Sequence, residues 1–406
     1  MKIKLLITIV LVAAFIAGCV PATGVNVTPP TAAPATTMPT SLPVIPTSVP
    51  PTSTNEEAPT EVVSTTVPSE TNPVEVGLVI QTIDHQFHFA RPTVNLTSPY
   101  APTFTGFNPR GGMISGIAYA YDYTTFPTVM AFDGNEAVQL DFIVNPMPGL
   151  AVWSGTQPRL AWGTMLQVPD HPSSLEMSAP DGSTLETLIT QGVTEPPSQI
   201  IAQAWSVDGN SLYFSREPSG IGGYIVFSGA SSLYKIDLST YQKTELIPAD
   251  FSSGPFICLD ALSADERYVA DHCLQKSITI KDLSTGASTS IQPPEGLAGF
   301  QTVGSARFSP NGSRVAFALA KNDPNNEQGW IAVSDELQGS SQLILAGDPG
   351  VSYQVVGWLS DQTLLIQSSP VPSCVGCDYQ LWTLNIDGTN LTKIADGSFV
   401  TSMDSR

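Results

Sequence analysis

From Phe107 onward, one pattern of apolar and polar positions recurs along the chain. A bulky residue, usually aromatic, is followed by Ser or Asn, a short polar turn and an apolar strand. It reads FNPRG from Phe107, WSGTQPRLAW from Trp153, AWSVDGNSLYF around Trp205, LSADERYVA from Leu262, FSPNGSRVAF from Phe308 and WLSDQTLLI from Trp358. The spacings are 46, 52, 57, 46 and 50 residues. A second pattern follows in every unit: an alternating strand, a polar turn and another short strand, as in VMAFDGNEAVQL, LYKIDLSTYQKTEL and LWTLNIDGTNLTKI. Alternation with a period of two predicts strands that give one face to each neighbour. The Asp-Gly pairs at 133–134, 181–182 and 387–388 predict hairpin turns between the outer two strands, because Gly supplies the positive φ that the reversal needs. Each unit is therefore expected to be a four-stranded antiparallel sheet. One such sheet cannot bury both faces alone, but six arranged radially can. The expected fold is all-β, a six-bladed β-propeller of four-stranded antiparallel blades over residues 76–406. The run VEVGLVIQTI from Val74 is a further strand that either closes the ring or lies outside it.

The first residues follow a different rule. Lys2 and Lys4 precede a run from Leu5 to Ile16 that is apolar except for Thr8. That is short for a membrane span and matches the core of a signal peptide. No other stretch reaches the roughly 18 apolar residues that a span requires. The run ends in Ile16-Ala17-Gly18-Cys19, which resembles the lipobox of bacterial lipoproteins. The resemblance implies a signal peptide over residues 1–18 and a Cys19 that is acylated, palmitate being a typical chain, and becomes the new N-terminus. Stable anchoring takes more than one acyl chain.

Residues 19–75 read as the lipidated Cys and a disordered linker. After Cys19, the 56 residues from 20 to 75 contain 12 Pro, 13 Thr and 5 Ser, no aromatic residue and no Lys or Arg. Such a segment cannot bury enough apolar surface to offset its ordering entropy. Extended at about 3.1 Å per residue, it would reach on the order of 170 Å. The expectation is a spacer that lifts the propeller off an extracytoplasmic membrane surface.

The repeat itself resembles that of the TolB-type β-propellers, a WD-like repeat of bacterial envelope proteins. FSPNGSRVAF at Phe308 is close to the family form, WSVDGNSLYF and WSGTQPRLAW are fair matches, and the first, fourth and sixth units depart from it. The resemblance covers roughly residues 100–400. It implies a non-catalytic protein-interaction module of the cell envelope.

Charge narrows the partners. Lys and Arg number 16 against 36 Asp and Glu, a net charge of -20. Nothing in such a chain replaces the counterions of a nucleic acid, and an acidic membrane surface would repel it. The partners expected are an envelope protein or a cell-wall glycan, with the chain a monomer tethered through Cys19.

Cysteine use fits an oxidising compartment. Cys258 and Cys273 flank a turn centred on residues 265 and 266, which would set them opposite each other on the inner strands of the fourth unit, in reach of a disulfide. Cys374 and Cys377 form a CxxC in a Pro- and Ser-rich loop. A redox pair, half a zinc site and a structural disulfide are all compatible with it, and the last is the plainest.

Catalytic signatures are missing. The four His are 85, 88, 171 and 272, and no G-x-S-x-G, P-loop or dinucleotide motif occurs. Asp323-x-Asn325-x-Glu327 has the alternation of a calcium loop, but Gln328 stands where the turn needs Gly. No enzyme activity, catalytic residue, cofactor or metal is expected. Recognition is expected instead on long loops joining the second and third strands, about 167–174, 216–230, 320–330 and 367–379. These carry Asp170, His171, Tyr224, Asp323, Asn325, Asn326, Trp330, Asp378 and Tyr379. A glycan-binding or glycan-acting propeller is the alternative, and an enzyme of that kind should show paired carboxylates in the central pocket.

Overall fold

The structure is a computed structural model. It describes residues 72–82, 86–96, 103–104, 116–118, 128–133, 136–143, 146–154, 156–164, 172–192, 198–218, 227, 229–248, 258–272, 275–321, 327–370 and 378–403. The chain divides into two units, Met1–Thr66 and Val67–Arg406, and every described residue lies in the second. All regular elements among them are strands.

The six repeat units become six antiparallel blades in a propeller ring. Blade two is Pro146–Trp153, Leu160–Thr164, Ser174–Ser178 and Glu186–Thr190. Blade three is Ser198–Trp205, Ser211–Pro218, Leu233–Asp237 and Lys243–Ile247, and blade four is Leu259–Leu262, Tyr268–Asp271, Ile278–Asp282 and Ser288–Ile291. Blade five is Thr302–Phe308, Val315–Ala320, Gly329–Ser334 and Gln342–Leu345; blade six is Val351–Ser360, Thr363–Pro370, Gln380–Asn385 and Thr392–Asp396. Blade one shows three strands among the described residues, Gly116–Ala118, Thr128–Asp133 and Glu136–Gln139. The first strands of blades two and three, of four and five, and of five and six touch one another, so they stand where these blades converge. The fourth strands are partly exposed, as the outer rim should be.

The aromatic residue of the repeat is the bolt between blades. Trp358 is fully buried and donates its indole N–H to the carbonyl of Arg307, 3.0 Å away in the preceding blade. Trp205 does the same to the carbonyl of Val152, also at 3.0 Å. Arg307 and Val152 each directly precede the aromatic residue of their own unit, so the two bonds occupy equivalent places.

The Ser that follows locks the turn. In blades three, four and five, Ser206, Ser263 and Ser309 donate to the side chains of Asp208, Asp265 and Asn311 at 2.6, 2.5 and 2.7 Å. Each also accepts the backbone N–H of the next strand's first residues, from Ser211, Tyr268 and Arg314 at 2.9, 2.8 and 3.0 Å. The residue at the reversal has positive φ in all three: Gly209 at 70°, Glu266 at 61° and Gly312 at 73°. Glu266 departs from the Gly of its sister units and sits where a side chain is strained. Its carboxylate compensates across the blade boundary: it accepts the Tyr213 hydroxyl at 2.7 Å and the Val207 N–H, and stands 3.6 Å from Lys235 Nζ.

Ser309→Ala would take the side-chain acceptor from the Arg314 N–H in a half-buried turn. It is expected to cost about 0.5–1.5 kcal/mol, read as a lower midpoint in urea with an unchanged slope. A midpoint equal to that of the parent would remove the turn lock from the account of stability.

The rim turns between third and outer strands follow the same logic. Asp237 accepts from Ser239 and Thr240, and these bonds hold its carboxyl at about 2. Gly182 and Gly388, of the predicted Asp-Gly turns, have φ of 76° and 81°.

The chain ends meet in a separate seam. Ser398–Met403 pairs with Gly77–Gln81, which pairs in turn with Phe87–Ala90. The last strand touches the third strand of blade six on one side and the first described strand of blade one on the other. Leu78 and Ile80 pack against Leu359, Leu365 and Leu381 of blade six. The strand read from Val74 therefore helps close the ring. Strand pairing begins earlier still, at Asn72, within the segment read as linker: Asn72–Glu75 pairs with Thr93–Leu96.

Candidate functional site

Antiparallel order assigns the connections to two faces. First-to-second and third-to-outer turns share one face, while second-to-third loops and the links between blades share the other. The turn face is short and bonded to itself. Of the candidate residues, Asp170, His171, Tyr224, Asp323, Asn325 and Asn326 lie outside the described residues, as do Cys19, Cys273, Cys374 and Cys377. Asp378 is exposed and Tyr379 half-buried, directly before the third strand of blade six. The Tyr379 carbonyl accepts the Gly397 N–H at 2.7 Å, which ties this loop end to the seam.

Trp330 is a correction. It is not on a loop: strand pairing in blade five runs on to Gly329 opposite Ala320, so Trp330 sits inside the third strand opposite Leu319. It is 8% exposed and packs in the apolar cluster that includes Phe317, Leu319 and Ile291. Glu327, the last member of the calcium-like alternation, is also buried and accepts the Ser352 hydroxyl at 2.7 Å.

Near the axis the structure assembles a group of residues that the sequence reading passed over. The inner strands of blades three to six each carry a register shift just before the bulky residue of the repeat, around Gln203, Asp260, Ser305–Ala306 and Val356. A bulge re-aims side chains locally. In blade four it has two effects. It brings Cys258 opposite His272 rather than Cys273, because Leu259 pairs with Asp271 while Ala261 pairs with Ala270; the His272 N–H reaches the Cys258 carbonyl at 3.2 Å. It also turns Asp260 inward, where Oδ2 accepts the Ala306 N–H of blade five at 2.9 Å and lies 2.8 Å from His272 Nδ1. The approach to Nδ1 is close but off the line of a straight hydrogen bond, so the contact is chiefly electrostatic.

Both side chains are almost wholly buried. Burial favours the neutral imidazole, but the charge of Asp260 and the hydrogen bonds outweigh it, and the His272 pKa stands above the ordinary value. Arg307 of blade five lies beside this pair and donates to the carbonyls of Asp260 and Ala306 at 3.2 and 2.8 Å. Burial lowers its pKa, against the pull of Asp260.

Two stretches of the chain cover inner-strand edges. Ala230, after the second strand of blade three, exchanges both backbone hydrogen bonds with Leu259 of blade four at 2.9 Å. Gly229 allows the approach, since a Cβ there would lie 2.6 Å from the Leu259 carbonyl oxygen. Phe227 in the same stretch seats on Gly304 of blade five, where a Cβ would lie 2.5 Å from its own Cβ, and its ring meets His272 edge-on at 6.3 Å. Thr103–Phe104 pairs with Gly357 and Trp358 on the remaining edge of the blade-six inner strand. The signal available in the sequence was the charge in ICLDALS, an Asp in an otherwise apolar inner strand. Its partner His272 follows the turn, and no local pattern joins the two.

No protein-family model matches the chain, and no curated protein is similar to it. Solved structures share the architecture. TolB from Acinetobacter baumannii is 13% identical with a TM-score of 0.42, and the match covers 82% of this chain and 66% of TolB, just under two thirds of its length. An oligogalacturonate lyase from Vibrio parahaemolyticus is 11% identical with a TM-score of 0.46, over 80% of this chain and 86% of the lyase. The tricorn protease is 11% identical with a TM-score of 0.43, over 77% of this chain and 34% of the protease. At these identities the likeness is one of fold. It nonetheless corrects the expectation that the chain is no enzyme: propellers of this architecture include a lyase and a protease, so missing sequence signatures do not exclude catalysis.

Proposed function

We propose that this chain is an extracytoplasmic, lipid-anchored β-propeller whose loop face recognises a protein of the cell envelope. The observation that carries the reading is the inequality of the two faces: the turn face has short turns bonded to themselves, while the longer connections join the strand ends on the other. Recognition residues on a rigid scaffold are usually borne by such connections. The Ile16-Ala17-Gly18-Cys19 pattern and the Pro- and Thr-rich segment after it support a tethered display of that face. A disulfide between Cys258 and Cys273 belongs to the same reading, and the burial of Cys258 supports it.

Two measurements test this. In detergent phase partitioning, the parent chain should enter the detergent phase and Cys19→Ser should remain in the aqueous phase; equal partition of both would remove the anchor. Passed over immobilised protein, solubilised envelope should leave one retained protein that is lost when residues 371–379 are replaced by a short Gly-Ser turn. Retention of cell-wall glycan with no protein would overturn the protein-recognition reading.

A further inference from the structure

Both ring nitrogens of His272 face acceptors. Nδ1 is 2.8 Å from Asp260 Oδ2, and Nε2 is 3.4 Å from the carbonyl oxygen of Phe227. A carbonyl has no proton to give, so Nε2 must carry one. Oδ2 already accepts the Ala306 N–H at 2.9 Å and lies in a group flanked by Arg307, which suits a carboxylate rather than a carboxylic acid. An ionised carboxylate 2.8 Å away favours a proton on Nδ1 as well. We infer that His272 is held as an imidazolium and is the latch that fastens Phe227, Gly229 and Ala230 of blade three against the inner strands of blades four and five.

The groups around the ring come from every element packed on it. Asp260 comes from the inner strand of blade four, Asp271 from its second strand and Arg307 from the inner strand of blade five. Among the described residues of blade three, Phe227 contributes its ring and its carbonyl. The two carboxylates favour the charged ring; Arg307 and burial oppose it. When Nδ1 loses its proton, a lone pair faces a carboxylate oxygen in a site without water access, and the hold on Phe227 weakens. The direction in pH follows: because the folded pKa is raised, the latch is complete below the ordinary imidazole range and the stability that the charged ring contributes is lost as pH rises through the folded value. The stretch that would loosen covers an edge of the blade-four inner strand, so its release would uncover that edge.

The test uses the full chain. Long-range 1H–15N spectra should show both His272 nitrogens protonated at pH 6.5, with the resonances assigned by their loss in His272→Gln. Hydrogen exchange at Ala230 and Leu259, corrected for the intrinsic rates, should lose protection between pH 6 and 9, tenfold for each pH unit by which the imidazole is raised. Asp260→Asn should lower the His272 titration and flatten that dependence. An unprotonated Nδ1 at pH 6.5, protection constant across the range, or an unchanged titration in Asp260→Asn would each overturn the inference. The first two readouts need only the parent chain, so a variant that fails to fold does not shelter it.

Discussion

A chain ending at Gly397 is expected to lose the ring. Removing Ser398–Met403 strips the partner strand from Gly77–Gln81, and Leu78, Val79 and Ile80, none of which has any exposed surface, would lie at an open sheet edge. Two further ties go with it: the Phe399 N–H donates to the Gln367 side chain of blade six at 2.8 Å, and the Ser398 hydroxyl donates to the Gln81 carbonyl at 3.3 Å. Exposing two or three large aliphatic side chains at about 1.5–3 kcal/mol each takes a large share of the roughly 5–15 kcal/mol that stabilises a domain. The truncated chain should melt at least about 10 °C below the parent or be recovered only as aggregate, because an unpaired edge templates association. A chain shortened by residues 404–406 alone serves as the control and should melt with the parent. If the chain ending at Gly397 melts within about 2 °C of that control, the seam does not hold the ring.

The second large effect is expected at Trp358. Trp358→Ala empties a site with no exposed surface and removes the donor to the Arg307 carbonyl. Substitutions of this kind cost about 3–5 kcal/mol. Trp358→Phe keeps most of the volume and forfeits the hydrogen bond, so it should cost less, on the order of 1–2 kcal/mol. Urea unfolding monitored by circular dichroism checks the order: parent, then Phe, then Ala. Equal losses for Phe and Ala would mean that the bond to the preceding blade, rather than filling the gap between blades, carries the contribution of the residue.

Trp330 and Trp358 show where reading the chain succeeds and where it stops. Trp358 is one of six residues in a repeated phase, and repetition marks it as the packing residue at the end of an inner strand. Trp330 lies outside that phase, beside a polar run ending at Gln328, and looked like the end of a loop. Its place depended on how far the ladder between Val315–Ala320 and Gly329–Ser334 continues. No local residue pattern encodes that length.

What the sequence by itself determined is what local bonding decides. The Ser-x-Asp and Ser-x-Asn turns close within five residues through a side chain and the nearby backbone, so the residue types suffice to identify them. The alternation of each strand, the Asp-Gly reversals and the six-fold recurrence followed from the same short range, and together they required blades stacked face to face. The tertiary structure decided everything that depends on register or on distant parts of the chain. A single bulge around Asp260 moved Cys258 opposite His272 and brought a carboxylate to an imidazole. The seam joined residues more than 300 positions apart, as in the bond from Ser398 to Gln81. A one-residue change of register sends a side chain to a different neighbour, and which distant strand completes an edge depends on the closed ring rather than on either strand alone.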